Sequence, residues 1–552
     1  MFSLIGLPAD DNRTLVRSMP WGLLLSPIRG QGIFLSCLLW LLSCSALFSQ
    51  QRPHIVLILC DDMGYSDLGC YGGEIETPNL DALASSGVRF VDFHNNAKCS
   101  ETRASLLTGL WHHQTKLLRA DGNVTLAEVL RRAGYRTYMS GKWHLHGHPM
   151  DRGFQRFFGF LGGAINYFTG TDWQKQENMM RLGRQVYLPP PDFYSTDAIT
   201  DYALQFLRED SQFEEPFFLY LAYNAPHFPL HALPEDIAKY RSAYDSGWDV
   251  IRQQRWQRMQ NLGIAAGESW TLSQRDPQVE PWETLNQEQR AFLVPMMEVY
   301  AAMVDRLDQN IGRLVAFLEQ RGQLDNTLLI FLSDNGACPY WRIRSEELRP
   351  GGPDSDIAYD ARWANMCNTP LRLYKQYAHE GGTATPLIVH WPQGMSTTGA
   401  ISRFPGHIVD IMPTLLEVAQ ADYPEQIDGQ EVWPLVGQSL LPALQDPQLA
   451  HRAPPMFWEF NGNHGVRSGD WKLVAARSGD WELYHLAADR CETQNRAAEF
   501  PQRVAELAAA YDEWARTHGA RSHRACRSMK PSSQGQLMDL QQWVQRAANK
   551  SP

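Results

Sequence analysis

Three observations predict an α/β fold with a mostly parallel central sheet flanked by helices and a small C-terminal α+β antiparallel subdomain. First, "HIVLILC" (54–60), "PFFLYLAYNAPH" (216–227) and "NTLLIFLSDNG" (326–336) are continuous apolar runs, as expected of strands buried on both faces. Second, capped helical segments alternate with them, the pattern that builds parallel sheets. Third, the texture changes near residue 450. There "PMFWEF", "HGVRSGDWKLVAA" and "DWELYHL" read as short antiparallel strands with Ser-Gly-Asp turns.

The elements follow in order. After the 54–60 strand comes "TPNLDALASSG", with Thr77 as N-cap, Pro78 at the first helical position and Gly87 as stop. Leu80, Leu83 and Ala84 share one face of that helix. "VRFVDFH" returns as strand. Ser100 then reads as an N-cap, which puts Cys99 at a helix N-terminus and Arg103 in the first turn. "TLAEVLRRAG" (125–134) carries a capping box, Thr125 with Glu128, and stops at Gly134. "YRTYMSGKWHL" follows as strand and loop, and 286–322 is helical apart from Pro295. One helix, about 497–518, closes the C-terminal unit at Gly519. The expected division is a leader over 1–50, a main domain over 51–448, the antiparallel subdomain over 449–521, and a polar tail with one helix over 522–552.

A chain of 552 residues, 44% hydrophobic and 20% charged, is ordinary globular material. A net charge of −11 argues against nucleic acid as a partner. Residues 31–49 form an apolar run without charge, preceded by Arg29 and followed by "QQRP". This reads as a secretory leader rather than a stable membrane span, with Met19 as a candidate initiator. "LLSC", ending at Cys44, resembles a lipoprotein cleavage box, which would leave a lipid anchor on Cys44. The expected location is therefore periplasmic or extracellular. Cys37 and Cys44 fall in the leader; the other seven, Cys60, Cys70, Cys99, Cys338, Cys367, Cys491 and Cys526, are odd in number, so at least one stays unpaired. No CxxC occurs, which weighs against zinc and thioredoxin-type chemistry.

In open α/β sheets ligands bind beyond the carboxyl ends of strands. Asp61 and Asp62 stand at one such end, and adjacent carboxylates repel unless a cation or protons neutralise them. Asp334 and Asn335 stand at another, where Asp-Asn-Gly is equally a turn sequence. Together these four residues offer oxygen only, which suits Ca2+ or Mg2+ better than zinc. "SGKWHLHGH" places Lys142 and His144 on one side of a strand, with His146 and His148 nearby as an alternative zinc cluster. His227 follows a strand between Pro226 and Pro229, and Lys375 lies five residues before "EGG". Cys99, near a helix N-terminus and Arg103, sits where a negative species is favoured.

The blocks "IVLILCDDMGYSDLGCYG", "PNLDALASSGVRF", "CSETRASLLTG", "GYRTYMSGKWHL", "PHFPL", "LLIFLSDNG" and "EGGTATPLIVHWP" occur in the order and spacing of the type I, formylglycine-dependent sulfatases. The chain resembles that family from about residue 52 to 515, and "WANMCNTPLRLYKQYAHEGG" is most like bacterial arylsulfatases. The resemblance implies an alkaline-phosphatase-like fold and hydrolysis of sulfate monoesters of a carbohydrate or aryl alcohol. It implies that a formylglycine-generating maturation enzyme oxidises Cys99 to formylglycine (3-oxoalanine). One hydroxyl of the hydrated aldehyde would attack sulfur and displace the alcohol; the other would lose its proton and expel the sulfate as the aldehyde reforms. By the same resemblance Asp61, Asp62, Asp334 and Asn335, with an oxygen of modified Cys99, are the ligands of Ca2+ or Mg2+. Arg103 corresponds to the arginine that holds the hydrate, Lys142 to a sulfate clamp and His144 to the base that collapses the hemiacetal. His227 and Lys375 correspond to groups that bind sulfate and protonate the departing oxygen.

One position departs from the family pattern. The maturation signature C-x-P-x-R, with alanine sometimes replacing proline, has Glu101 at its third position here. Glutamate keeps the backbone N–H and adds a charge. If Glu101 blocks maturation, Cys99 stays a thiol and the chain is a silent sulfatase-like binding protein. A phosphonate monoester or phosphodiester hydrolase of the same superfamily is the other alternative. The segment 239–285 carries Trp248, Arg252, Arg255, Trp256, Arg258, Trp270 and Trp282. Such residues suit a sulfated glycan, but packing is the preferred reading.

Overall fold

Strand β1 (His54–Cys60) lies inside the main sheet, and its alternating side chains enter two different cores. Val56, Ile58 and Cys60 point to one face; Ile55, Leu57 and Leu59 point to the other. Burial on both faces is why the run is apolar without interruption. The structure is a computed structural model that describes residues 52–172, 179–427, 429–531 and 537–549. The expected leader, including Cys37, Cys44 and Met19, lies outside these residues.

The main sheet continues with β2 (Val88–His94), β3 (Arg136–Lys142), β4 (Arg156–Phe160), β5 (Met180–Leu182), β6 (Gln185–Val186), β7 (Phe217–Ala222) and β8 (Thr327–Ser333). After a short pair, β9 (Arg342–Ile343) and β10 (Ile357–Ala358), it regains β11 (Ala384–His390), β12 (Ala400–Ser402) and β13 (Gly406–His407). The spatial order is β12-β2-β11-β8-β1-β7-β3-β4-β5-β6, with β13 also on β2. The run β8-β1-β7-β3-β4 is parallel throughout. β11 is antiparallel to both its neighbours, so β2 points the same way as β8. All the parallel strands, β2 included, therefore present their carboxyl ends on one rim, and β11 starts from that rim.

Helices cover both faces. Pro78–Ser86, Ser195–Glu209 and Gln287–Gln320 contribute to the core on one side; Cys99–Thr108, Leu126–Arg132 and Ile411–Ala419 contribute on the other. The Thr125/Glu128 capping box forms as expected, with Glu128 N donating to Thr125 Oγ1 at 3.2 Å and Thr125 N to Glu128 Oε2 at 2.7 Å. The expected break at Pro295 does not occur: Gln287–Gln320 runs through it. Leu293, Val294, Met296 and Met297 around the proline are all buried, and that packing outweighs the one lost hydrogen bond.

After β14 (Gln426–Ile427) and β15 (Gln430–Glu431), strands β16 (Met456–Phe460), β17 (Asn463–Ser468), β18 (Trp471–Ala475) and β19 (Glu482–His485) form a separate antiparallel sheet. Helix Pro501–His518 lays Leu507, Tyr511 and Trp514 in a core shared with Val466, Leu473 and Leu483, and ends at Gly519 with φ +75°. The stretch expected as a polar tail holds two helices, His523–Arg527 and Leu540–Ala548. Leu540 and Trp543, three residues apart on one helical face, join Met538 in the main core, which orders the segment. Trp248, Arg252, Arg255, Trp270 and Trp282 are buried, whereas Trp256 and Arg258 are half-buried, so packing accounts for five of the seven residues. All seven described cysteines are buried and free.

Candidate active site

The rim gathers side chains from six places in the chain. Asp61 N donates to Ala225 O at 3.0 Å and Asp334 N to Cys60 O at 3.1 Å, so the sheet ladder extends one residue past β1 and β8. This sets Asp61, Asp62, Asp334 and Asn335 side by side, all buried. Asp62 takes φ +70°, a left-handed turn that aspartate tolerates. Its backbone N–H donates to Asp334 Oδ1 at 3.3 Å, and Asn335 Nδ2 donates to Asp62 Oδ1 at 2.6 Å.

Cations meet these carboxylates. Lys142 pairs with Asp61, and Lys375 with Asp62. Arg103 Nε and Nη2 donate to Asp334 Oδ2 at 3.1 and 2.8 Å, and Nη1 to Lys142 O at 2.9 Å. His227 Nδ1 donates to Phe228 O at 2.6 Å, so Nε2 is the atom facing the carboxylates, 3.4 Å from Asp62 Oδ2. Burial holds His227 down to about 3, against the pull of Asp62 and Asp61. Burial likewise holds His144 well below its ordinary value, helped by Lys142, Lys98 and Arg103.

A divalent cation fits what remains. Asp61 Oδ1, Asp62 Oδ2 and Asn335 Oδ1 are buried with no hydrogen-bond partner, although their sister atoms are paired. Burial first, and Asp61 next, push Asp334 well above the carboxylate range despite Arg103. Orphaned oxygens of this kind cost free energy unless something positive binds them, and an all-oxygen set suits a hard ion. A bound divalent ion would hold Asp334 ionised; the three carboxylates then balance Arg103, Lys142 and Lys375, and the ion leaves a positive surplus ready for an anion.

Cys99 is buried at this rim as the first residue of helix Cys99–Thr108. The expected N-cap shifts by two: Lys98, extended at φ −153°, precedes the helix, and Ser100 Oγ donates to Glu101 Oε2 at 2.6 Å instead of capping. Arg103 accordingly stands one turn further in, on the same face as Cys99. Burial alone would push the Cys99 thiol up, but Lys98, Lys142 and Lys375 pull it below its ordinary value. The shared side expected for Lys142 and His144 needs correction too. β3 ends at Lys142 and His144 turns to φ +54°, so strand alternation no longer applies. Lys142 is fully buried, while His144 is partly exposed with Nδ1 unpaired. His146 and His148 leave the site: His148 Nδ1 accepts from Met150 N at 3.3 Å and its Nε2 lies 3.1 Å from Gly183 O. Among the described residues these histidines form no metal cluster.

Three features escaped sequence reasoning. Lys98 acts on Cys99 from the adjacent position, which adjacency alone could have suggested. Asp67, the third carboxylate of "DDMGYSD", supports the Asp62 turn; its Oδ2 accepts from Gly64 N and Tyr300 OH, both at 2.7 Å. The third is a buried network beyond β2. Arg467 Nη1 and Nη2 donate to Asp92 at 2.7 and 2.8 Å; Arg490 joins Asp92 at 3.0 Å and also pairs with Glu380. Lys472 reaches Glu380 at 2.5 Å and Glu492 at 3.0 Å. Asp92, His94 and Glu380 lie close enough to hold a metal, yet these cations already answer the carboxylates. Through Glu380 N to Glu492 Oε2 (2.9 Å) and Trp458 Nε1 to Asn95 O (2.8 Å), the C-terminal sheet grips the chain on both sides of the rim.

Comparison with known proteins gives a consistent result. The Sulfatase family profile matches residues 53–421, and the profile described as N-sulphoglucosamine sulphohydrolase, C-terminal, matches 372–525. An arylsulfatase of Klebsiella aerogenes is 35% identical over 430 residues, covering 71% of this chain and 92% of its own. An uncharacterized sulfatase of Schizosaccharomyces pombe is 33% identical over 516 residues, covering 83% and 92%. The crystal structure of Ps i-CgsB in complex with k-i-k-neocarrahexaose superposes with a TM-score of 0.62 at 25% identity, over 91% of this chain and 98% of that one.

Proposed function

The chain belongs to the sulfatase family, and from that membership we propose that it hydrolyses sulfate monoesters of a carbohydrate or aryl alcohol at the rim described above. The observation that carries this reading is the meeting of three orphaned oxygens with Cys99 and two lysines in one buried place. The proposed ligands of a divalent ion, Ca2+ or Mg2+, are Asp61, Asp62, Asp334 and Asn335, joined by an oxygen of the modified Cys99. Such an ion supplies Lewis-acid polarisation of the ester and positive charge for the sulfate. Cys99, matured to formylglycine by a dedicated enzyme, supplies the nucleophile as an aldehyde hydrate.

The remaining steps belong to residues of this chain. Arg103 fixes Asp334 and the Lys142 carbonyl, and so sets the floor beneath position 99. Lys142 and Lys375 each have further N–H bonds to offer sulfate oxygens beyond those made to Asp61 and Asp62. Lys375, kept protonated by Asp62 against its burial, is the proton donor to the departing oxygen. His227, neutral and pinned through Nδ1, orients the ester through Nε2. His144, held neutral with an unpaired Nδ1, accepts the proton that resets the site. The proposed catalytic domain is 51–448 and the C-terminal subdomain 449–521. Export to the periplasm or outside the cell, with a lipid anchor on Cys44 as one form, completes the proposal.

Two measurements test it. Trypsin releases the peptide Cys99–Arg103, whose mass in natively produced protein reports position 99. A formylglycine mass is expected; an unmodified thiol in active protein would overturn the mechanism. Turnover of 4-nitrophenyl sulfate is compared with that of the matching phosphate and phenylphosphonate esters. Equal or greater phosphonate turnover would assign the chain to the alternative hydrolase class.

A further inference from the structure

A second cleft lies away from the rim. It has a volume of about 700 Å3, and its walls include Trp433, Gln114, Gln430, Lys116, Arg119 and Glu431. Helix Cys99–Thr108 points from the rim toward it. Ten residues of helix span about 15 Å, and the cleft residues begin six positions later, so the two places are distinct.

Two independent features mark the cleft as built. The first is Trp433, an indole that is 39% exposed and lies against the backbone at Gly122. Its backbone N–H donates to Gly122 O at 2.8 Å, and a Cβ on Gly122 would sit 2.3 Å from the indole Cδ1. Gly122, at φ +76°, thus lets the backbone lie against the ring. The second is the wall that Lys116 contributes, where Lys116, Leu117 and Leu118 take φ +48°, +57° and +72° in succession. Three non-glycine residues in the left-handed region cost roughly 1–3 kcal/mol each, and such strain gathers at ligand clamps. The Leu117 carbonyl accepts from His146 N at 3.2 Å, which ties this wall to the loop that carries His144.

The charge pattern selects the ligand class. Lys116, Arg119, Asp121 and Glu431 face the cleft, and none forms an ion pair among the described residues. Two cations against two anions give no net attraction for sulfate. A flat aromatic platform ringed by amides and mixed charges matches the faces and hydroxyls of an uncharged sugar ring. We propose that the Trp433 cleft is a second saccharide-binding site, which seats an uncharged pyranose of a glycan chain while a sulfated residue occupies the rim. This rests on the carbohydrate reading of the substrate.

The test uses the full-length protein with oligosaccharides of ι-carrageenan and chondroitin sulfate, each with its desulfated counterpart, by calorimetry. Desulfated oligosaccharide should bind the Cys99→Ala variant as well as wild type. Trp433→Ala should weaken that binding at least tenfold, with the loss persisting in high salt, and should leave turnover of 4-nitrophenyl sulfate unchanged. Trp433→Phe, which keeps an aromatic face, and Arg119→Ala, at an exposed position, guard against a folding defect; the first should retain most affinity and the second should lose part of it. Absence of binding by both desulfated probes, or equal affinity in Trp433→Ala, overturns the proposal. Aryl sulfate turnover by wild type reads the rim separately, so loss of the one reading is not mistaken for loss of the other.

Discussion

Replacing Glu380 with glutamine removes one charge from a buried network without changing its shape. In the wild type three anions, Asp92, Glu380 and Glu492, balance three cations, Arg467, Lys472 and Arg490, and burial holds His94 below its ordinary value and hence neutral. The side chains of Glu380 and Lys472 are fully buried. At about 3 Å and an effective dielectric of about 20, each contact is worth about 5 kcal/mol before desolvation is subtracted. Breaking such a pair from one side leaves an uncompensated charge, so Glu380→Gln should cost about 3–5 kcal/mol. Guanidinium chloride unfolding followed by circular dichroism measures this. The double variant Glu380→Gln/Arg490→Met restores neutrality, leaving Asp92 with Arg467 and Glu492 with Lys472. It should be clearly more stable than the sum of the two single losses predicts. A loss below about 1 kcal/mol for the single variant, or strict additivity in the double, would refute the charge-balance reasoning.

Other expectations follow from the same geometry. Gly141→Ala puts a Cβ 1.9 Å from Ala222 O at a residue with φ +117°, so β3 cannot keep its register on β7. It should destabilise the protein by about 3 kcal/mol or more, read as a lower unfolding midpoint. Chelator treatment should lower the thermal midpoint, and Ca2+ or Mg2+ at about 100 times its dissociation constant should restore about 2.7 kcal/mol. No shift on either step would remove the cation from the account. Glu459 is held at about 2 by His113, Gly462 N–H and Arg521, against its burial. Its contribution is therefore complete above about pH 4.5 and lost as pH falls toward 2, a span of about 3 kcal/mol. Glu459→Gln should flatten the acid limb of the stability curve over that window; an unchanged limb would assign acid unfolding elsewhere.

The parallel strands were legible because each is buried on two faces and so spells an unbroken apolar run, as β1, β7 and β8 do. The polar residues that end them were legible for the same reason: Asp61 and Asp334 stand where the run stops. Helix ends were read where side chains do the capping, as at Thr125 and Glu128. Where the cap is backbone alone, as at Lys98, the reading slipped by two residues. Pro295 misled because local cost was weighed without the core on either side of it. Lys375 is a different case. Its place at the rim depends on β11 running against its neighbours, and no local pattern encodes strand direction. The Glu380 network was invisible because its members are spread from residue 92 to residue 492, and charged residues read singly look like surface.

The reversed β11 has a consequence for how this scaffold can change. Residues 334–383 leave the sheet from β8 and rejoin it at β11 on the same side, and the stretch 339–360 passes beside the candidate site, with Lys375 Nζ 5.8 Å from the Tyr340 ring and Arg342 5.0 Å over the ring of Phe228. Tyr340, Trp341 and Arg342 near its start belong to this canopy. Lengthening, trimming or exchanging 339–360 would alter what can approach Cys99 while every strand of the main sheet keeps its partner. Selectivity toward the alcohol half of the ester is thereby separable from Asp334, Asn335 and Lys375, and a chimera swapping only 339–360 is the natural way to retune it.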